Sequence, residues 1–83
     1  MKIVYFAWVR ERVGKADENL DLPEDVATVA DLVRWLKTRG EEYEYAFENE
    51  DVVRAALDKV HAKPNAVIAG AREIAFFPPM TGG

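Results

Sequence analysis

No cysteine occurs in the 83-residue chain, which removes disulfides, thiolate nucleophiles and sulfur ligands for zinc or iron–sulfur clusters together. Histidine is almost as scarce: His61 stands alone and cannot build a metal site by itself. The acidic run "ENED" lacks the DxDxDG spacing of a calcium loop and reads as a solvated turn. Five scattered glycines form no GxxxxGK[ST] loop, so the chain has no cradle for nucleotide phosphates. Cations are outnumbered, 11 Lys and Arg against 15 Asp and Glu, and a net charge of -4 excludes a phosphate-backbone surface and with it nucleic acid. Long apolar runs are missing too. The stretch after Lys2 spans about seven residues, far short of the roughly 20 that a membrane span needs, and no small-residue cleavage site follows it. These absences lead us to expect a cytoplasmic protein with no membrane or nucleic-acid partner and no bound cofactor.

What is present suits one small globular domain: 49% of residues are hydrophobic and 31% charged, a balance that disordered chains do not show. "KIVYFAWV" is β-branched and aromatic throughout and reads as a strand over residues 2–9. Alternation puts Lys2, Val4, Phe6 and Trp8 on its outer side and Ile3, Tyr5, Ala7 and Val9 on its inner side. "ENLDLPED" alternates Leu20 and Leu22 with polar residues until Pro23 stops it, as in a short hairpin strand.

"TVADLVRWLKTRG" is the clearest helix, with Val29, Leu32, Val33 and Leu36 on one face. Thr28 and Asp31 form a near capping box, and Arg34, Lys37 and Arg39 suit the carboxyl end before Gly40. "EEYEYAFE" continues as a shorter helix. "VVRAALDKV" is read as a strand, "HAKPN" as a loop, "AVI" as a short strand, and "REIAFF" as a last strand ended by Pro78 and Pro79, which cannot donate to a ladder. The order β, β, α, β, β describes an α+β, ubiquitin-like β-grasp: a mixed sheet with one main amphipathic helix packed across it. First and last strands are expected side by side at the sheet centre, with residues 1–79 as the domain and 80–83 as a flexible tail.

The chain ends "FFPPMTGG". Two terminal glycines arise by chance in roughly one chain in 200. The two prolines project Met80, Thr81, Gly82 and Gly83 away from the sheet, and a segment without Cβ atoms can enter a channel too narrow for any other residue. Its reactive group is the terminal carboxylate, a poor electrophile until it becomes an activated acyl group such as an acyl-adenylate. A partner enzyme must supply that ATP chemistry. The activated glycyl carbonyl then has two fates, attack by a lysine amine or replacement of the leaving group by sulfur. With no cysteine to carry a persulfide, any sulfur belongs on Gly83.

"FAWVRERVG" near the start together with "GAREIAFFPPMTGG" at the end resembles the small, sulfur-carrying subunit family of molybdopterin synthase, over the whole chain. The resemblance implies that Gly83 is adenylated by an activating enzyme, converted to a thiocarboxylate and threaded into a large synthase subunit. There it donates sulfur to a cyclic pyranopterin precursor, two deliveries creating the dithiolene. It implies a heterotetramer in which this chain brings the reagent and the large subunit the catalytic side chains. Gly82 and Gly83 match the family's functional pair directly. One departure stands out: an acidic turn resembling "DGDE" is replaced by Gly70, Ala71, Arg72 and Glu73.

Strand parity groups Phe77 with Glu73 and Ala75, opposite Ile74 and Phe76. Phe6 and Phe77 then form an exposed apolar patch beside the tail or else fill a core, and the resemblance favours the patch. Partner-contacting residues are accordingly Phe6, Phe77, Pro78, Pro79, Met80 and Thr81. Trp8 and Trp35 read as packing residues, His61 as a loop residue, and Glu41, Glu42, Glu44 and Glu48 as a solvated helix surface. Two other functions stay open: a modifier conjugated to lysines through Gly83, and a carrier for another thio-cofactor such as thiamine.

Overall fold

The computed structural model describes residues 1–79. Its five strands, β1 (Lys2–Tyr5), β2 (Asp17–Asn19), β3 (Arg54–Leu57), β4 (Val60–Ala62) and β5 (Glu73–Phe77), form one sheet in the order β2-β1-β5-β3-β4. β1 and β5 run parallel at its centre, and the other neighbours are antiparallel. Helices α1 (Ala7–Val13), α2 (Val29–Lys37) and α3 (Glu41–Ala46), with a 3-10 turn at Glu50–Val52, complete the described chain. The mixed sheet, its crossing helices and the central β1–β5 pair are those of a β-grasp.

α2 forms where periodicity and punctuation agree. Val29, Leu32, Val33 and Leu36 are buried on one face. The capping box is complete: Thr28 Oγ1 accepts from the Asp31 amide at 3.2 Å, and Asp31 Oδ2 accepts from the Thr28 amide at 3.1 Å. Two backbone hydrogen bonds hold the helix entrance to the loop after β4, from Val29 N–H to the Ala66 carbonyl and from Ala30 N–H to the Pro64 carbonyl. The face packs on Ile3, Tyr5, Ile74 and Phe76, all essentially inaccessible to water. Phe76 lies edge-on to Phe47 at 5.0 Å and stacks on Tyr5 at 6.4 Å, so the last strand is locked into the middle of the core.

Four segments differ from the sequence reading. The opening strand stops at Tyr5, because the backbone turns at Ala7 (φ 51°) and winds into α1, which buries Val9 and Val13 one turn apart. Gly14, at φ 88°, ends that helix in the left-handed conformation that glycine adopts without strain, its N–H donating to the Arg10 carbonyl. Trp8 is therefore helical, half-buried against the core, with the Arg12 guanidinium 4.6 Å from its ring and 4.2 Å from that of Tyr45. β2 ends at Asn19, leaving Leu20 and Leu22 as irregular chain packed on the core. His61 lies in β4 rather than in a loop, since Asp58 and Lys59 (φ 47° and 71°) form a two-residue turn that pairs Leu57 with Val60. "AVI" contributes only an isolated bridge from Val67 to Thr28.

Candidate functional site

The exit of the carboxyl-terminal segment is set by the neighbours of β5. Tyr5 pairs with Phe76 on one side and Arg54 with Phe77 on the other. One step further along, the Phe6 N–H donates to the Phe76 carbonyl at 3.0 Å. Beyond Phe77 the half-buried Pro78 and Pro79 offer no N–H, so neither ladder can lengthen by a donor from β5. The chain thus leaves from the centre of the sheet, framed by Phe6 and Arg54. Met80, Thr81, Gly82 and Gly83 lie outside the described residues.

Register decides what surrounds this exit. The rows Val4–Ala75–Ala56–His61 and Phe77–Arg54 share the sheet face opposite the helices. Phe77 is half-buried there, with the His61 ring edge-on at 5.3 Å. Ala75 and Ala56 make a shallow apolar floor beside it. Phe6 is 48% exposed, and it precedes α1 rather than lying within a strand. The parallel register of Tyr5 with Phe76 nevertheless brings Phe6 beside Phe77 in the neighbouring segment. His61 and Arg54 belong to this surface although the sequence reading left both out. For His61 the only clue was that an apolar alternation continues past Asp58.

Arg54 is exposed, and its guanidinium donates to the Asp51 carbonyl at 2.8 Å, which holds it over the start of β3. At the far end of β5, Asp58 Oδ1 accepts from the amides of Arg72 and Glu73, both at 3.0 Å. The Asp58 N–H donates in turn to the Glu73 carbonyl at 3.0 Å. The "GARE" turn, with Gly70 at φ 86°, is therefore secured by an acid of the β3–β4 turn.

A polar cluster supports the floor from the helix side. Glu18 accepts from the Tyr5 hydroxyl at 2.8 Å, the Tyr43 hydroxyl at 2.6 Å and the Arg39 guanidinium at 3.1 Å. Burial pushes the Glu18 carboxyl up, but the hydrogen bonds from Tyr43, Tyr5 and Arg39 outweigh it and hold the group below the usual carboxylate range. Burial first, and then the Glu18 carboxylate, raise both tyrosine hydroxyls, so they stay protonated donors. The cluster fixes Tyr5 against Phe76 and has no direct contact with the exit. Among the described residues no three His, Asp or Glu side chains converge as a metal site, and no helix is long and apolar enough to cross a membrane.

Comparison with known proteins gives a consistent result. The ThiS family matches residues 3–83. The molybdopterin synthase sulfur carrier subunit of Caenorhabditis elegans is 33% identical over 85 residues, covering 100% of this chain and 96% of that one. Its counterpart in Escherichia coli strain K12 is 30% identical over 83 residues, covering 100% and 99%. Among solved structures, SAMP1 from Haloferax volcanii superposes with a TM-score of 0.72 at 26% identity, covering 100% of this chain and 98% of that one.

Proposed function

Because the chain belongs to the ThiS family, we propose that it is the sulfur carrier subunit of a molybdopterin synthase and that Gly83 carries the sulfur. The observation that carries this reading is the route of the chain. A strand locked at the centre of the core leads through Phe77 into Pro78 and Pro79, followed in the sequence by Met80, Thr81 and two residues without side chains. The two sulfur-carrier relatives match over the whole of this chain.

In this reading an activating enzyme joins the Gly83 carboxylate to the AMP moiety of ATP and releases pyrophosphate. A sulfur nucleophile then attacks the acyl carbon and expels AMP, leaving a terminal thiocarboxylate. The sulfur adds to a carbon of the cyclic pyranopterin precursor, and water cleaves the acyl–sulfur bond, so the carboxylate is regenerated and the sulfur stays on the pterin. Two carriers used in turn supply the dithiolene. ATP is a substrate of the activating enzyme, and this chain binds no cofactor of its own. The large synthase subunit holds the pterin and completes a heterotetramer in the cytoplasm.

Phe6, Phe77, Pro78 and Pro79 are the body contacts for both partners, and Met80 and Thr81 contact the partner at the mouth of the channel that Gly82 and Gly83 enter. Ordering four tail residues costs on the order of 4 to 8 kcal/mol, so docking through Phe77 and the alanine floor supplies most of the affinity.

The likeness to a protein named small archaeal modifier protein 1 favours one second reading, conjugation of Gly83 to lysine amines. Intact mass of the chain made with its activating enzyme and a sulfurtransferase separates the two. Exchange of one terminal oxygen for sulfur, with dithiolene formation on adding the large subunit, supports the carrier. An unmodified chain, with ladders on other proteins that resist reducing agent, overturns it.

A further inference from the structure

We propose that the cleft between α2 and the free edge of β4 takes up an extended apolar segment of a partner protein, with carboxylates at both its flanks, as an additional strand of the sheet. This site opens between α2 and the β4 edge, shares His61 and Arg54 with the Phe77 surface, and does not depend on the sulfur-carrier reading.

β4 ends the strand order, so only its β3 side is paired among the described residues. In a two-residue hairpin the pair next to the turn, Leu57 with Val60, exchanges hydrogen bonds. So does Ala55 with Ala62, while the intervening His61 directs its N–H and C=O to the open edge. The strand therefore offers one unpaired donor and acceptor to an incoming backbone. Its helix-side residues are apolar, Val60 with 68% of its surface exposed and Ala62 partly buried.

Beside Ala62 the sheet and α2 diverge around a cleft of about 600 Å³, floored by Val29, Val33, Val53, Ala55 and Phe76, with Glu50 and Asp51 of the 3-10 turn also in its lining and Lys63 at the β4 end. That is the size and lining of a ligand site rather than a packing defect. Edge pairing supplies affinity in strand addition, and pockets for alternate side chains supply specificity. Both elements are present here within three residues of chain, Val60–Ala62.

Charge selects the occupant. Lys59 and Lys63 stand exposed immediately before and after β4, and neither has an ion-pair partner among the described residues. Arg34 also lines the cleft, but its charge is engaged by Asp31. A second copy pairing through β4 would set lysines against lysines, which disfavours self-association. Lysines alone also protect an edge from pairing. Edge protection, however, requires no adjoining apolar cleft, and an apolar strand flanked by Asp or Glu satisfies the edge, the cleft and the lysines together.

The test is a titration of the full isotopically labelled chain with the synthetic peptide DEVIVIED and with its charge-reversed form KKVIVIKK. DEVIVIED is expected to shift the amides of Val60, His61, Ala62 and Lys63 and of the first turns of α2, and to bind about tenfold more tightly than KKVIVIKK. The Lys59→Glu/Lys63→Glu double variant, altered only at exposed positions, should reverse that preference. The proposal is overturned by equal binding of the two peptides, by shifts confined to Val4, Ala75 and Phe77, or by no saturable shift up to about 1 mM. Concentration-dependent broadening of β4 without peptide would assign the edge to a second copy and overturn it equally.

Discussion

The Phe6 N–H donates to the Phe76 carbonyl at 3.0 Å, the bond nearest the tail in the ladder that joins β1 to β5. It falls where α1 begins on one side and the two prolines begin on the other, so the exit is anchored on both strands before the chain departs. Phe76 itself is 1% exposed. In the proposed sulfur-carrier reading this buried strand end is the point from which the tail is tethered to the body.

The tail should therefore separate from the body in mutagenesis. Gly82→Val is expected to leave the unfolding temperature unchanged and to slow sulfur transfer by about 100-fold or more, since a displacement of about 1 Å at a reacting centre has that effect. Single-turnover measurement with the thiocarboxylated chain and the large subunit checks it. Deletion of Gly83 should abolish transfer while the same unfolding temperature is retained.

Phe77 is the anchor proposed for docking. Phe77→Ala should weaken binding to the large subunit by about 2 kcal/mol, roughly thirtyfold in Kd, as removal of a central aromatic commonly does. Because the ring is only half-buried, unfolding free energy should fall by no more than about 1 kcal/mol, mostly through the lost edge contact with His61. Calorimetric titration and urea unfolding of the same variant read the two effects apart, and a stability loss larger than the binding loss would move Phe77 from the interface to the core.

Thr28 closes the capping box of α2, and Thr28→Ala should destabilise the chain by about 1 kcal/mol. Thr28→Ser, which keeps the accepting oxygen, should recover most of it. Urea unfolding of the pair distinguishes the cap from the loss of a methyl group.

α2 and β5 were legible because each carries two agreeing signals, a period and a stop. Thr28 with Asp31 opens the 3.6-residue pattern of α2, and Pro78 closes the period-two pattern of β5. α1 was hidden because "FAWV" is apolar at every position, so both periods fit it. Only the Val9–Val13 spacing before Gly14 marked a helix. β4 was hidden by its turn, since Asp58 and Lys59 adopt positive φ without the glycine that announces such hairpins. The outward side of Phe77 follows from parity alone. The presence of Arg54 and His61 beside it depends on long-range register, which local sequence does not encode.

Glu18 carries the pH dependence. Its carboxylate accepts hydrogen bonds from Tyr5, Tyr43 and Arg39 and a longer one from Lys15, and its side chain keeps 11% exposure. The folded protein holds this group below the ordinary glutamate value of about 4.3. Between the folded and unfolded values the unfolded chain binds more protons, so stability rises with pH there. The contribution is fully present above about pH 4.3 and is lost as pH falls through the lower, folded value. Glu18→Gln replaces charged with neutral hydrogen bonds and should cost about 1 kcal/mol at pH 7. The gap between wild type and variant should then narrow as pH drops below about 4, as the wild-type carboxyl also becomes neutral. Urea unfolding of both proteins from pH 7 down to about pH 3 measures it, and a gap independent of pH would show that Glu18 acts through shape rather than through its charge.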